Sequence, residues 1–240
     1  MGVTIVGLCA IPPEKTSQQV IDVLVKRLTN LFADVVGVWS LDFEHYQANT
    51  DSLSSKNVVY SLAWSDNNTK YIMHNNDDGQ IVPMESADEF TDNIKNYTLR
   101  KSLKAHGQTL LLGDFIVKLS SIVGGHTSLT DIVIEANYKP CSHVGVCWNL
   151  LHEFCKILTE SYELSLPETP PLNILGDGTF DKSQTATQYA DIFINHKKAK
   201  YPCVETLPVN ILGDATFNKS QTAPQYADAF VNHKKAVTKL

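Results

Sequence analysis

The 240-residue chain has no CxxC pair, no His-Glu-x-x-His, no Gly-x-Ser-x-Gly elbow and no Gly-rich loop ending in Lys-Ser/Thr. Zinc proteolysis, serine acyl transfer and P-loop phosphate chemistry each need one of these patterns at fixed spacing. Positive charge is also scarce, with 20 basic against 26 acidic residues and a formal charge of −6. Non-specific binding to nucleic acid rests on Lys and Arg displacing counterions, so an acidic balance argues against it. The densest basic stretch, Arg100 to His106, holds three fixed positive charges and reads as a solvated strand or loop. No apolar run reaches membrane-spanning length, and Pro12-Pro13-Glu14 cut short the apolar start before a signal peptide could form. Gly2 would suit myristoylation, but Val6 stands where Ser or Thr is wanted.

Cysteine is sparse and odd in number: Cys9, Cys141, Cys147, Cys155 and Cys203. Cys147 and Cys155 are eight apart in a helical segment, with His152 nearby, and so share roughly one face. Burial against a core explains them better than tetrahedral metal ligation. Isolated thiols suit a reducing, intracellular setting, where the three Asn-x-Ser/Thr sequons carry no consequence.

Hydrophobic residues make up 43% of the chain, enough for a sizeable core. Val3 to Ile11 reads as a strand. Thr16-Ser17-Gln18-Gln19 offers a capping box to a helix striped by Val20, Leu24, Leu28 and Leu31, ending near Ala33. Val35 to Phe43, Val58 to Trp64, Tyr71 to Asn75 and Ile81 to Met84 read as strands separated by Asn- and Asp-rich turns. A second capping box at Ser86 to Glu89 precedes a short helix striped by Phe90, Ile94 and Tyr97. Leu110 to Val123 and Thr130 to Tyr138 are long strand-like stretches. Val144 to about Leu158 is a helix whose Trp148 and Phe154 are expected to pack on the sheet built from those two stretches. Strands in two blocks with associated helices make an α+β class, with a mostly antiparallel sheet curled into a barrel or half-barrel.

The most specific internal feature is a repeat. Residues 172–199 realign with 209–236 at an offset of 37, with 22 of 28 positions identical. Two copies are too few for a solenoid, so this is one tail element present twice. Each copy holds a helix-period face: Tyr189, Ile192, Phe193 and His196 in the first, Tyr226, Ala229, Phe230 and His233 in the second. Tyr189, Ile192, Phe193, Tyr226 and Phe230 are therefore the candidate helix-docking residues. The first copy, around Thr185 to Lys198, is expected to dock because it carries Ile192 and Ile194 where the second has Ala229 and Val231. Pro224 fits only the first turn of a helix and places the second N-cap near Thr222 or Ala223.

Two fragments resemble catalytic patterns. Asp177-Gly178-Thr179 matches the end of a phosphatase loop, but Leu175 and Leu212 occupy the nucleophile's position in the two copies, so a turn before a helix is expected. Asp42-Phe43-Glu44 approximates one half of the paired acids that a metal-binding barrel points into its lumen; the other half is missing.

An ordered set of motifs points to a family. Met1-Gly2-Val3-Thr4, Tyr71-Ile72-Met73-His74-Asn75, Asp114-Phe115-Ile116-Val117-Lys118, Glu135 to Cys141, Cys147 to Phe154, and Gln188-Tyr189 followed by Phe193 resemble the Mediator subunit 20 family over residues 1–199. The resemblance implies a partly open β-barrel flanked by helices, distantly similar to RNA triphosphatase tunnel folds but without their acidic metal site. It implies a non-catalytic, cofactor-free subunit of the nuclear Mediator head module, bridging regulators and RNA polymerase II in transcription. The eighteenth subunit is then the partner, with the C-terminal helix of the eighth nearby and no direct contact with nucleic acid or membrane. Residues 200–240, a linker and the second tail copy, depart from the family pattern. The competing expectation is a barrel-type phosphohydrolase. A scaffold with nine Tyr and nine Phe is expected to expose an apolar surface patch.

Overall fold

The structure, a computed structural model, describes residues 2–49, 58–65, 70–75, 81–84, 96–124, 131–170 and 178–200. The helix expected around Phe90 and Ile94, the turns at 66–68 and 76–79, and the second tail copy with Tyr226 and Phe230 lie outside the described residues.

Among the described residues nine strands form one sheet: β1 (Val3–Ala10), β2 (Asp34–Ala48), β3 (Val58–Trp64), β4 (Lys70–Asn75), β5 (Ile81–Met84), β6 (Tyr97–Leu112), β7 (Phe115–Val123), β8 (Asp131–Tyr138) and β9 (Leu164–Ser165). Their order is β5-β4-β3-β2-β6-β7-β8-β1-β9, with every described pairing antiparallel. Among the described residues three helices accompany the sheet: α1 (Ser17–Asn30), α2 (Val144–Thr159) and α3 (Lys182–Lys200). The class is α+β.

Strand period two sorts the side chains onto two faces. Val3, Ile5 and Cys9 of β1, Ile132, Ile134 and Ala136 of β8, and Val117 and Leu119 of β7 lie under α1 and α2. Val6, Trp39, Leu41, Phe43, Tyr60, Leu62, Trp64, Tyr71, Met73, Leu103 and Val133 line the opposite face. That second face is concave, and α3 lies in it, approaching β1 near one edge of the sheet and β5 at the other. The barrel is open, and a helix of the same chain fills the opening.

α1 starts as its sequence dictates. Thr16 accepts from the Gln19 N–H, and the Gln19 side chain accepts from the Thr16 N–H at 2.9 Å, which completes the capping box. Val20, Ile21, Leu24 and Leu28 are buried, but Leu31 is the C-cap and is exposed, so the expected stripe loses its last member. α2 buries Val144, Cys147, Trp148, Leu151 and Cys155. It rests on β1 and β8 more than on β7, because β1 pairs with β8 and extends the sheet beneath it. Trp148 is buried, whereas Phe154 is half-buried and stacks on Phe115 of β7 at 4.4 Å.

One strand reading needs correction. Leu110 to Val123 is not one strand but the meeting of β6 and β7 at a hairpin, where Gly113 takes φ +54°. The basic stretch Arg100 to His106 is the middle of β6. Its Leu103 and Ala105 are buried, while Arg100, Ser102, Lys104 and His106 point outward to solvent.

Candidate functional site: the helix-filled concavity

α3 begins three residues before the expected Thr185. Asp181 caps it, accepting from the Gln184 N–H at 3.1 Å and from the Ser183 hydroxyl, while Gln184 returns an acceptor to the Asp181 N–H at 2.9 Å. This Asp-x-x-Gln capping box was present in the sequence and is the signal that sets the true helix start. Before it, Gly178 takes φ +77° and Thr179 bridges to His143, so this piece of the phosphatase-like fragment is a turn. Asp177 lies outside the described residues.

Tyr189 and Phe193 are fully buried in the concavity, together with Ala186 and Ala190. Trp39 and Trp64 meet the Tyr189 ring edge-on at 6.1 and 5.7 Å, and Phe43 packs against Phe193 at 5.1 Å. Small alanines between large aromatics let the helix backbone sit close to the sheet. Ile192 and Ile194 are half-buried at the margin of this cluster. The site therefore joins Tyr189, Ile192 and Phe193, with the two aromatics innermost.

Gln188 supplies a different kind of contact. Its amide oxygen accepts from the Val6 N–H at 2.8 Å and its amide nitrogen donates to the Thr4 carbonyl at 3.0 Å. One side-chain amide thus takes the place of a neighbouring strand on the edge of β1, ahead of the point where β9 joins it. Both groups are buried, and leaving either unpaired is costly.

A polar cluster lies beneath Tyr189. Its hydroxyl donates to Glu135 Oε2 at 2.6 Å, and Lys118 Nζ sits 3.5 Å from Glu135 Oε1. Lys118 also lies 5.0 Å from the centre of the Trp39 ring. Glu135 and Lys118 are only 8% and 13% exposed, so their ion pair is little screened by solvent. Further along, Lys101 donates to the Phe193 carbonyl at 2.8 Å, and His45 lies 5.2 Å from the Tyr60 ring. Burial, then the charges of Lys101 and Arg100, hold the His45 imidazolium below its ordinary range.

Sequence reasoning missed Glu135 as an interior acid, because it directly follows the apolar run Ile132-Val133-Ile134 in a strand-like stretch. The signal was a Glu in β8 and a Lys in β7 at matching parity. The acids that sequence reasoning considered face elsewhere. Asp42 points outward to Lys104 at 3.3 Å, with both side chains about half exposed, and Glu44 accepts from the Tyr46 hydroxyl. Among the described residues no group of three His, Cys, Asp or Glu side chains is placed to hold a metal ion. Cys9, Cys147 and Cys155 are buried, and burial pushes each thiol up to about 12.

A cavity of about 180 Å³ remains at one mouth, lined by Gly2, Thr4, Trp64, Tyr71, Glu135 and Asp181 among others. That is below the ~300 Å³ of ordinary ligand sites. A larger one of about 540 Å³ runs between β1 and α3 over Val6, Leu8, Ala10 and Ile192, with Asp131, Glu163 and Asp191 on its wall. Three carboxylates there repel a polyphosphate.

The family model for the TATA-binding related factor of subunit 20 of the Mediator complex matches residues 1–194. The chain belongs to the Mediator subunit 20 family. Mediator of RNA polymerase II transcription subunit 20 from Anopheles gambiae is 28% identical over 212 residues, covering 82% of this chain and 95% of the relative. The Xenopus laevis protein is 26% identical over 209 residues, covering 82% and 96%. Among solved structures, a chain of the Schizosaccharomyces pombe Mediator head module aligns with TM-score 0.40 and 10% identity, over 68% of this chain and 98% of that one. The subunit 20 match stops at residue 194, inside α3 and just beyond Phe193. The buried face of α3 is thus within the family's common portion. The chain is a structural subunit of Mediator, acting in transcription regulation.

Proposed function

We propose that this subunit works without catalysis in the nucleus, within the head module, as a rigid body that links regulators to RNA polymerase II. The eighteenth subunit is its partner, with the C-terminal helix of the eighth nearby, and it touches neither nucleic acid nor membrane. The observation that carries this reading is α3 in the concavity. The space in which a barrel enzyme of this shape would hold substrate is occupied by Tyr189, Phe193 and Gln188. The buried carboxylate beneath Tyr189, Glu135, has both oxygens engaged by Tyr189 and Lys118.

Residues 1–199 form the working domain with its own plug, and 200–240 add a linker and a second copy of that plug. Tyr226 and Phe230 repeat Tyr189 and Phe193, and Gln225 repeats Gln188. The second copy is nonetheless the poorer occupant. Thr187 is the sixth residue of α3, where its N–H belongs to the helical ladder, and the second copy has Pro224 there. A proline at that depth removes a hydrogen bond and clashes with the preceding turn, at about 3 kcal/mol or more. Ala215 replaces Gly178, which takes φ +77°, at a further ~1 kcal/mol. Ile192 and Ile194 matter less than their size suggests, because both are only half-buried.

Affinity purification of the full chain from nuclear extract tests the assignment. The expected result is recovery of the eighteenth and eighth subunits, with no metal-dependent release of phosphate from triphosphates. Phosphate release that depends on Glu135, or a chain recovered alone, would favour the barrel phosphohydrolase instead.

A further inference from the structure

α1 ends in a motif that normally requires glycine. The Ala33 N–H reaches the Leu28 carbonyl and the Phe32 N–H reaches the Thr29 carbonyl, both at 3.0 Å, which is the six-to-one and five-to-two closure of a left-handed helix end. The residue at the left-handed position is Phe32, at φ 67°, with its side chain 91% exposed. A bulky side chain is strained there, and an aromatic ring left in water gains nothing from folding.

Beside it, β2 offers an unpaired edge. β6 pairs with β2 from Asp34 onward, but β3 pairs with it only from Leu41. Just before that ladder begins, the Ser40 N–H donates to Ser65 Oγ and the Ser40 carbonyl accepts from the Ser65 N–H. Ser40 therefore directs both backbone groups towards the β3 side. Val38, two residues earlier with no register shift between them, directs its own N–H and carbonyl the same way. Among the described residues no strand pairs with that side of Asp34 to Trp39. Val38 is 73% exposed, and Leu31, Val35 and Val36 are exposed as well. Val35 and Val38 are paired with Leu110 and Gln108, on the face of the sheet that carries α1. Natural edge strands are blunted by charge, proline or a bulge; this one has Asp34 and an irregularity between Val35 and Gly37 at its start, but beyond them it presents Val38.

We infer that Asp34 to Trp39 is a strand-addition site for an extended apolar segment of a neighbouring subunit, with Phe32 as its aromatic anchor. The edge selects the occupant: the outward N–H and carbonyl of Val38 continue the line of Ser40, beyond the irregularity between Val35 and Gly37, and accept extended main chain and not a helix. The size of the surface selects its source. Five apolar side chains beside a six-residue edge fall short of the ~1,200–2,000 Å² of a stable dimer, so two copies of this chain would not hold together here. A segment from a protein already fixed nearby is bound at high effective concentration and needs no larger area. The inference rests on the chain's place in a multi-subunit assembly.

The test uses the full chain in cells, carrying p-benzoylphenylalanine at position 32 or 38, cross-linked in the assembled complex and mapped by mass spectrometry. Both positions are expected to cross-link to one short stretch of another subunit. Val38→Pro removes the outward N–H while leaving the β6 side intact, and should cut the yield from position 32 by about tenfold, as expected for a lost backbone hydrogen bond or two. Phe32→Gly separates binding from folding. Relief of the left-handed strain should raise the unfolding midpoint by about 2–4 °C, while the yield from position 38 falls. Cross-links between two copies of this chain, cross-links scattered over helices, or yields indifferent to both substitutions would each overturn the inference. If no other Mediator subunit co-purifies at all, the function proposed above fails, and this inference with it.

Discussion

Glu135 is the residue on which the interior polar chemistry turns. It is buried, paired with Lys118, and its second oxygen is satisfied by the Tyr189 hydroxyl. Tyr189→Phe keeps the ring and its contacts with Trp39 and Trp64 but leaves a buried carboxylate short of a donor. A hydrogen bond to a charged group contributes about 1.5–3 kcal/mol, and urea unfolding should show a loss of that size. Lys118→Met should cost about 3–5 kcal/mol, because it leaves the carboxylate without its counter-charge. His45 sets a pH dependence. Its folded-state proton affinity is lowered, by burial first and then by Lys101 and Arg100. The unfolded chain then binds the proton more readily, so His45 costs no stability well above pH ~6.5 and progressively more as pH falls below that value. The gap in unfolding midpoint between pH 7.5 and 5.5 should narrow in His45→Gln.

At the scale of elements, α3 decides what the sheet can do. Thr187→Pro transfers the second copy's residue into the first and should destabilise the domain by about 3 kcal/mol or more in chemical unfolding. An unchanged stability would mean that the α3 backbone at that turn does not matter to the fold. How far such elements could be read from sequence varied with how local their causes are. The box at Thr16 and Gln19 is a local signal, and α1 begins where it says. The equivalent Asp181 and Gln184 were equally local, but the conspicuous Gln-Tyr-Ala-Asp period drew attention downstream to Thr185. The centre of β6 was obscured by its charges, although Leu103 and Ala105 alternate with them at strand period. The break between β6 and β7 depended on a single Gly-Asp turn inside an otherwise continuous apolar stretch. Leu31 looked like core because helix period places it there, yet the helix stops one residue short of it.

For the whole molecule, alternation and turn spacing were enough to indicate an antiparallel α+β sheet. What fills its concavity was less legible, because the deciding contacts are long-range. Gln188 is 184 residues from the Thr4 carbonyl it satisfies, and Tyr189 is 54 from Glu135. No periodicity reports such pairings; the helix-period face of the tail copy marks Tyr189, Ile192 and Phe193 as a face to be buried, but not what they meet. The first tail copy lies in the interior of the sheet, and the scaffold role proposed above requires that it stay there in the presence of the second. Native-state hydrogen exchange on the full chain measures this directly. Amides from Ala186 to Phe193 should exchange only through opening of the whole domain, and those around Tyr226 should exchange far faster. Protection at Tyr226 with rapid exchange at Tyr189 would contradict the account, because the second copy would then be the one that fills the sheet.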